Sequence, residues 1–574
     1  MLLISVMRLL ILMFSFYGYL QAVSRKVRAE FAIGIVFSAI GGAVFLAGIL
    51  NILKIASFVI CGVGVYLAVR SVMRKESPKR LMCFGTVFFA VSCVYLFFIL
   101  HDMILVEYDN FSHWGIVTKL LLRKDRFPNY TDINIAFQSY PLGSASFIYY
   151  IVTITGIGSE WMWLFTQAFL MSGFLTSLFA FAKSWPQKIV TALACVIFIA
   201  GNTSITDLLV DTLLPVAAVG GISFCLYYRK QIYQHIWWVL PYIVFLTAIK
   251  NSGIFFALVI LGYLLSKGRS RRDLSAWVTG GLCAAATLVL WQRHVKLVFD
   301  NGMMSYHSLS LDYFGKMFND KDDSQIQTIL SGFMGKMFSY DNHVLWLAGM
   351  LAVVVVIDLL RKKKDSHRDL IWLAVVSYLI YQVMTCGMYL LTMPKGEAIR
   401  LAAYDRYHDT ILIFVAGIVL TGMLEATDDR LDLRSGGFYR SVLASVICLV
   451  CLFYAITPNK VFLTKRDPGD KYRGRARLQY DAMVDAYQLK EGKRCAILIK
   501  TTHDSANPGF LRYLTKYLLD PSVVVTMCVD DCDPEVLADR YDYLIVFDST
   551  DDIVEFLEVY FPNYSAPCVI ELTK

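Results

Sequence analysis

Apolar runs of spanning length recur along most of the chain, at 31–50, 53–70, 81–100, 159–182, 205–228 and onward, with short polar breaks between them. A helix of roughly 20 apolar residues crosses a bilayer, and in lipid the backbone must satisfy its own hydrogen bonds, so each run is expected to be a helix. With 57% hydrophobic and only 17% charged residues over 574 positions, the apolar surface exceeds what a soluble core can cover. The expected fold is a polytopic α-helical membrane protein with about 14 transmembrane helices, one re-entrant helix and a small C-terminal α/β domain. The first apolar stretch, residues 1–21, lacks a basic start and a small-residue cleavage site, so it is read as a retained helix.

The formal net charge of +8 does not point to nucleic acid, because most Lys and Arg fall in short clusters between apolar runs. Arg25, Lys26 and Arg28 form one cluster, and Arg70, Arg74, Lys75, Lys79 and Arg80 another. Further clusters fall at Arg229 and Lys230, at Lys267, Arg269, Arg271 and Arg272, and at 361–364 with Arg368. Basic loops stay cytoplasmic, so parity puts residues 101–141, 293–342, 393–407 and everything after about 458 outside. Four apolar runs (142–157, 159–182, 188–201, 205–228) then join an outside loop to a cytoplasmic one, and an odd number must cross. The run 142–157 is too short for a full span and is expected to be re-entrant, which requires a cavity or protein around it.

Four regions follow: N-terminal helices (1–80), a transmembrane module (81–458), a basic linker (459–479) and an extracytoplasmic domain (480–574). In the last, strand-length runs at 495–499, 523–529, 543–547 and 568–572 alternate with helix-like runs near 509–519, 534–540 and 551–560. Nine of the 13 Cys lie in apolar runs, and Cys495, Cys528, Cys532 and Cys568 lie in the tail without metal-ligand spacing. A disulfide in the tail stays open.

Polar residues that could carry chemistry gather on the outside. The first loop opens with Glu107, Asp109, His113 and Trp114, where carboxylates serve as a general base or an interfacial cap. It closes with Tyr140, Pro141 and Gly143, which can turn the chain back into the membrane at a defined angle. Asp207 and Asp211 are four apart and are expected to share a helical face, with Asp207 capping and Asp211 deeper. Lys250 divides two apolar runs and suits an anionic head group, although a snorkelling lysine would look the same. Arg406, flanked by Tyr404, Tyr407 and His408, lies where positive charge is disfavoured by topology, and its guanidinium suits phosphate oxygens. His294, Lys296, His307 and Asp312 in the 293–342 loop are further contributors.

These motifs, in this order across residues 81–425, resemble those of the GT-C superfamily of membrane glycosyltransferases, which includes the protein O-mannosyltransferases and the lipid A aminoarabinose transferases. The Asp109 segment is similar to the acidic motif of that family's first external loop, and Tyr140, Pro141 and Leu142 to its Tyr-Pro-Pro-Leu element. Asp211 is similar to an acidic residue on a later helix, residues 248–253 to a Lys-x-x-Gly element, and Asp405-Arg406-Tyr407 to the Arg-Tyr closing the last catalytic loop.

The resemblance implies a polyprenyl-phosphate-linked sugar donor with its lipid in the membrane and its phosphate between Lys250 and Arg406, near Tyr407. Asp109 would take the proton of the acceptor hydroxyl as that oxygen displaces the lipid phosphate with inversion. The implied acceptor is an extracytoplasmic glycan, lipid or protein. Glu107, His113, Trp114, Tyr140, Pro141, Asp211 and His307 would contact the acceptor or line the cavity. Leu142 replaces the second Pro, and Asn110 stands where an Asp-Glu pair is common. Glu107 and Asp109 are then the remaining local acids, too few to argue a divalent metal, and no other cofactor is indicated. The alternatives are a lipid-linked glycan flippase, which would need ionisable residues on a path to the cytoplasmic face, and a polysaccharide polymerase or ligase.

Overall fold

Helices whose apolar residues run all round their circumference dominate the computed structural model, which describes residues 2–201, 205–267, 271–299, 311–339, 343–361, 368–427, 436–456, 467–499 and 508–572. Among the described residues seven helices are long and apolar enough to cross a membrane: Leu3–Ser24, Ala29–Ile49, Leu53–Met73, Glu160–Ala180, Leu274–Val298, Asp369–Leu391 and Tyr404–Ala426. Ala29–Ile49 and Tyr404–Ala426 are buried by neighbouring helices on most of their surface. Leu3–Ser24 and Leu53–Met73 instead present Leu3, Leu10, Ile55 and Tyr66 outward. Such contiguous apolar surface is stable against lipid, not water, and this is a helical membrane protein with a small C-terminal sheet.

Close packing replaces the hydrophobic effect between helices in lipid. Gly18 and Gly64 let Leu2–Ser24 and Leu53–Met73 touch backbone to backbone, since a Cβ on Gly18 would collide with the Gly64 carbonyl. In the centre, the Phe37 ring of Ala29–Ile49 meets Phe16, Phe147 and Phe169 at 5.6, 5.5 and 4.7 Å.

Two helices define opposite ends of the bundle. Leu213–Tyr227 starts just after Asp211 and ends at Tyr227, whose hydroxyl accepts from Arg28. Tyr404–Ala426 starts beside Arg406 and ends near Glu425, which pairs with Arg229 at 2.8 Å. The basic residues Arg28 and Arg229 therefore lie roughly 20–35 Å from the Asp211 and Arg406 end, the lengths of helices of 15 and 23 residues.

The tail forms a four-stranded sheet with β1 (Arg494–Ile499), β2 (Val523–Cys528), β3 (Tyr543–Val546) and β4 (Cys568–Glu571). Their order is β2-β1-β3-β4, parallel except for the antiparallel β3–β4 pair. Central β1 is buried on both faces: Cys495, Ile497 and Ile499 point into a core continuous with the helix bundle, and Ala496 and Leu498 into a separate core with Ile553 and Phe556. The two-residue alternation of a strand makes that division.

The tail is fixed to the bundle by a buried ion pair. Arg477, its side chain only 7% exposed, donates to Glu160 Oε1 at 3.0 Å and to the Leu105 carbonyl at 3.0 Å. Glu160 also accepts from the Tyr517 hydroxyl at 2.6 Å and the Leu105 amide at 2.6 Å. Burial raises the cost of the charges, so each remaining lone pair must be filled, and this arrangement fills them.

Several sequence expectations change. Asp207 and Asp211 are not on a helix; they sit in an irregular segment before Leu213–Tyr227, where the Asp207 side chain accepts from the Leu209 amide at 3.0 Å and bends the chain. His294 and Lys296 belong to the helix Arg271–Val298, with His294 stacked on Trp291. The 293–342 stretch contains the helices Leu311–Asn319, which holds Asp312, and Asp323–Met337, while His307 lies outside the described residues. The helix Tyr472–Ala486 runs through the expected linker boundary at 479. Cys495, Cys532 and Cys568 of the tail are free thiols.

Candidate active site at one end of the bundle

The chain enters the site at Asp109, where a wide π-helical turn, Asn110–Trp114, interrupts the helix that continues as Gly115–Lys124. The extra residue in such a turn rotates side chains out of α-helical register, and π-turns are frequent at functional sites. Here Asn110 Oδ1 accepts from the Leu208 amide at 3.0 Å, tying the turn to the Asp207–Asp211 segment. Gln167 Nε2 donates to the carbonyls of Asp207 and Leu209 and holds that segment from below.

Lys250 sits in the break between Leu240–Ile249 and Gly253–Lys267. A Cβ on Gly143 would lie 2.6 Å from the Ala248 carbonyl, so only glycine lets the helix Gly143–Thr155 begin against this break. Asn251 Nδ2 and Trp291 Nε1 donate to the Ser139 carbonyl at 3.4 and 2.9 Å and set the preceding 137–142 segment in place.

Arg406 lies in the first turn of Tyr404–Ala426, so the loop expected at 393–407 ends earlier than its sequence suggests. Leu401 and Ala403 before it adopt left-handed backbone angles, φ of 49° and 59°, which non-glycine residues avoid. The Tyr389 hydroxyl donates to the Ala402 carbonyl at 2.8 Å and holds that strained turn, and Lys321 Nζ donates to the Met393 carbonyl at 2.9 Å where the loop begins.

Four charges from these distant segments converge. Arg406 Nη1 lies 2.6 Å from Asp109 Oδ2, and Lys250 Nζ lies 2.9 Å from Asp211 Oδ1. Asp211 Oδ2 is 3.8 Å from Arg406 Nε, so Asp211 bridges both cations. Thr410 Oγ1 donates to the Asp211 and Arg406 carbonyls at 3.1 and 3.0 Å. The Tyr407 ring is 5.4 Å from each of the Lys250 ammonium and the Arg406 guanidinium. Two cations and two carboxylates thus balance within one cluster.

Burial acts to push the Asp211 carboxyl up, but Lys250 and then Arg406 outweigh it and leave it below the usual carboxylate range. Asp207 goes the other way: burial, reinforced by Asp109, raises it well above that range. Burial and then the Lys250 charge lower the His113 imidazole to about 3. Among the described residues no group of three or more His, Cys, Asp and Glu is placed to hold a metal ion.

A cavity of about 310 Å³ opens over this cluster, within the range of ligand pockets. Asp109, His113, Trp114, Tyr140, Lys250, Arg406 and Tyr407 line it. Asp211 lies behind the cations. Besides Asp211, two more of the expected lining residues do not face the cavity. Glu107 turns away to pair with Arg473 at 2.6 Å and Lys471 at 3.8 Å of the tail, and Pro141 is buried behind the wall. The wall also includes Tyr108, Phe137, Glu397 and Tyr513. Tyr513, in Pro508–Leu519 of the tail, has no signal in the sequence; only docking brings it 5.3 Å from the Tyr108 ring. No family model matches the chain, and a search of curated proteins found no match.

Proposed function

We propose that this protein is a GT-C-type membrane glycosyltransferase that moves a sugar from a polyprenyl-phosphate-linked donor to an extracytoplasmic acceptor. The observation that carries the reading is the meeting of Asp109 with Arg406 and Lys250 at one cavity, from segments more than 100 residues apart. In this reading the cavity end is extracytoplasmic, because Arg28 and Arg229 mark the opposite end as cytoplasmic. Eight shorter apolar helices accompany the seven long ones; with Gly143–Thr155 as the re-entrant helix, the others supply fourteen crossings and leave the tail outside.

The acceptor hydroxyl attacks the anomeric carbon while Asp109 takes its proton, and the bond from that carbon to the phosphate oxygen breaks with its electron pair leaving on the phosphate. Lys250 and Arg406 neutralise the charge that develops there, where a low-dielectric wall strengthens their effect. Inversion at carbon follows from a single displacement. Asp211 positions both cations, and Tyr407 offers them a ring face. A flippase needs the charged site to open to both ends, whereas this cluster sits at one end.

The test is transfer from radiolabelled polyprenyl-phosphate sugars by the purified protein, with Asp109→Asn and Arg406→Ala beside the wild type. Donor binding with loss of transfer is expected for Asp109→Asn, and weakened donor binding for Arg406→Ala. Full transfer by Asp109→Asn would remove the assigned base.

A further inference from the structure

His113 is 2% exposed, and neither ring nitrogen has a hydrogen-bond partner. A buried polar group without a partner is costly, and the rings of Trp114, Tyr140 and Phe137 surround this one with centroids at 4.7, 5.2 and 5.8 Å without hydrogen-bonding to it. All four side chains line the cavity beside Lys250. The arrangement is a cage of aromatic rings around the imidazole, with the Tyr140 hydroxyl and the Trp114 indole N–H as its other polar groups, the usual composition of a ligand site.

We propose that His113, Trp114, Phe137 and Tyr140 form the subsite for the sugar ring of the donor and that this sugar is a neutral pyranose bearing a free hydroxyl toward His113. The inference rests on the functional reading above. A hydrocarbon chain would leave both imidazole nitrogens unsatisfied, whereas a hydroxyl both donates and accepts, as an uncharged imidazole does. Burial beside Lys250 keeps that imidazole uncharged. The two cations of the cluster are the partners for phosphate, so the cage offers no charge to an acidic or amino sugar. The flat rings match the apolar face of a pyranose.

The test measures affinity of the full-length protein for bare polyprenyl phosphate and for polyprenyl-phospho-glucose, -mannose and -galactose, using wild type, His113→Phe and His113→Gln. The wild type is expected to bind at least one glycosylated carrier more tightly than the bare carrier. His113→Phe keeps a ring of similar size and is expected to lower that advantage roughly three- to tenfold with bare-carrier affinity unchanged, while His113→Gln recovers part of it. Binding of the bare carrier also reports that each variant is folded. An unchanged advantage in His113→Phe, or no advantage for any of the three hexoses in the wild type, overturns the subsite. Failure of the wild type to bind even the bare carrier overturns the functional reading, and the subsite with it.

Discussion

Arg406 and Asp109, 297 positions apart in the chain, share an ion pair of 2.6 Å across the cavity. The cation assigned to the donor phosphate is thus held by the carboxylate assigned as base until a ligand arrives. A phosphate that takes Arg406 releases Asp109 at the moment the base is required. Replacing Asp109 by Asn removes the competitor, so affinity for polyprenyl phosphate should stay the same or rise, while turnover falls by roughly 10²- to 10⁴-fold. Paired titration and single-turnover measurements check both halves.

Arg406→Gln keeps a hydrogen-bond donor and loses the charge. Charge-assisted bonds are about twice as strong as neutral ones, so affinity for polyprenyl phosphate should fall roughly 10- to 100-fold. The loss should be larger than for Lys395→Gln on the neighbouring short helix Lys395–Ile399, which does not line the cavity.

Removing Lys250 leaves Asp211 buried with only the more distant Arg406. Lys250→Met is expected to lower stability by about 3 kcal/mol, the scale for breaking one side of a buried pair. The double variant Lys250→Met with Asp211→Leu should be more stable than the single one. Thermal unfolding in detergent, read as a double-mutant cycle, decides this.

The tail is held through Arg477 and Glu160, with Tyr517 on the same carboxylate. Arg477→Met should expose the helix Tyr472–Ala486 to trypsin and lower transfer, because Tyr513 leaves the cavity wall with the tail. Protease patterns of variant and wild type give the outcome directly.

His113 titrates near 3 when folded because it is buried, and near 6.5 when unfolded. Between these values the unfolded chain binds more protons, so stability falls as pH drops below about 6.5 and is fully present above it. From pH 7 to 5 the loss from this residue is about 2 kcal/mol. His113→Gln should lack that part of the pH dependence of thermal unfolding.

The sequence made the helical membrane class and the tail strands legible for one reason: both are written in local periodicity. Continuous apolar runs have no soluble alternative, and the strand runs at 495–499 and 543–547 appear within one residue of β1 and β3 at each end. The residue types of the site were legible too, since Asp109, Lys250 and Arg406 are charges where an apolar segment begins or ends.

Their pairing was not. Which carboxylate faces which cation depends on a π-turn at Asn110–Trp114, a helix break at Lys250 and a left-handed turn at Leu401 and Ala403, none of which has a periodic signature. The same holds for Glu107, a plausible cavity acid by position that instead meets Arg473, and for Tyr513, which joins the wall from the far end of the chain. Local pattern determined the membrane helices and the strands because each is satisfied by its own backbone or nearest strands. Tertiary packing decided the site because an ion pair depends on distance in space, which the chain sets only after every helix has found its neighbours.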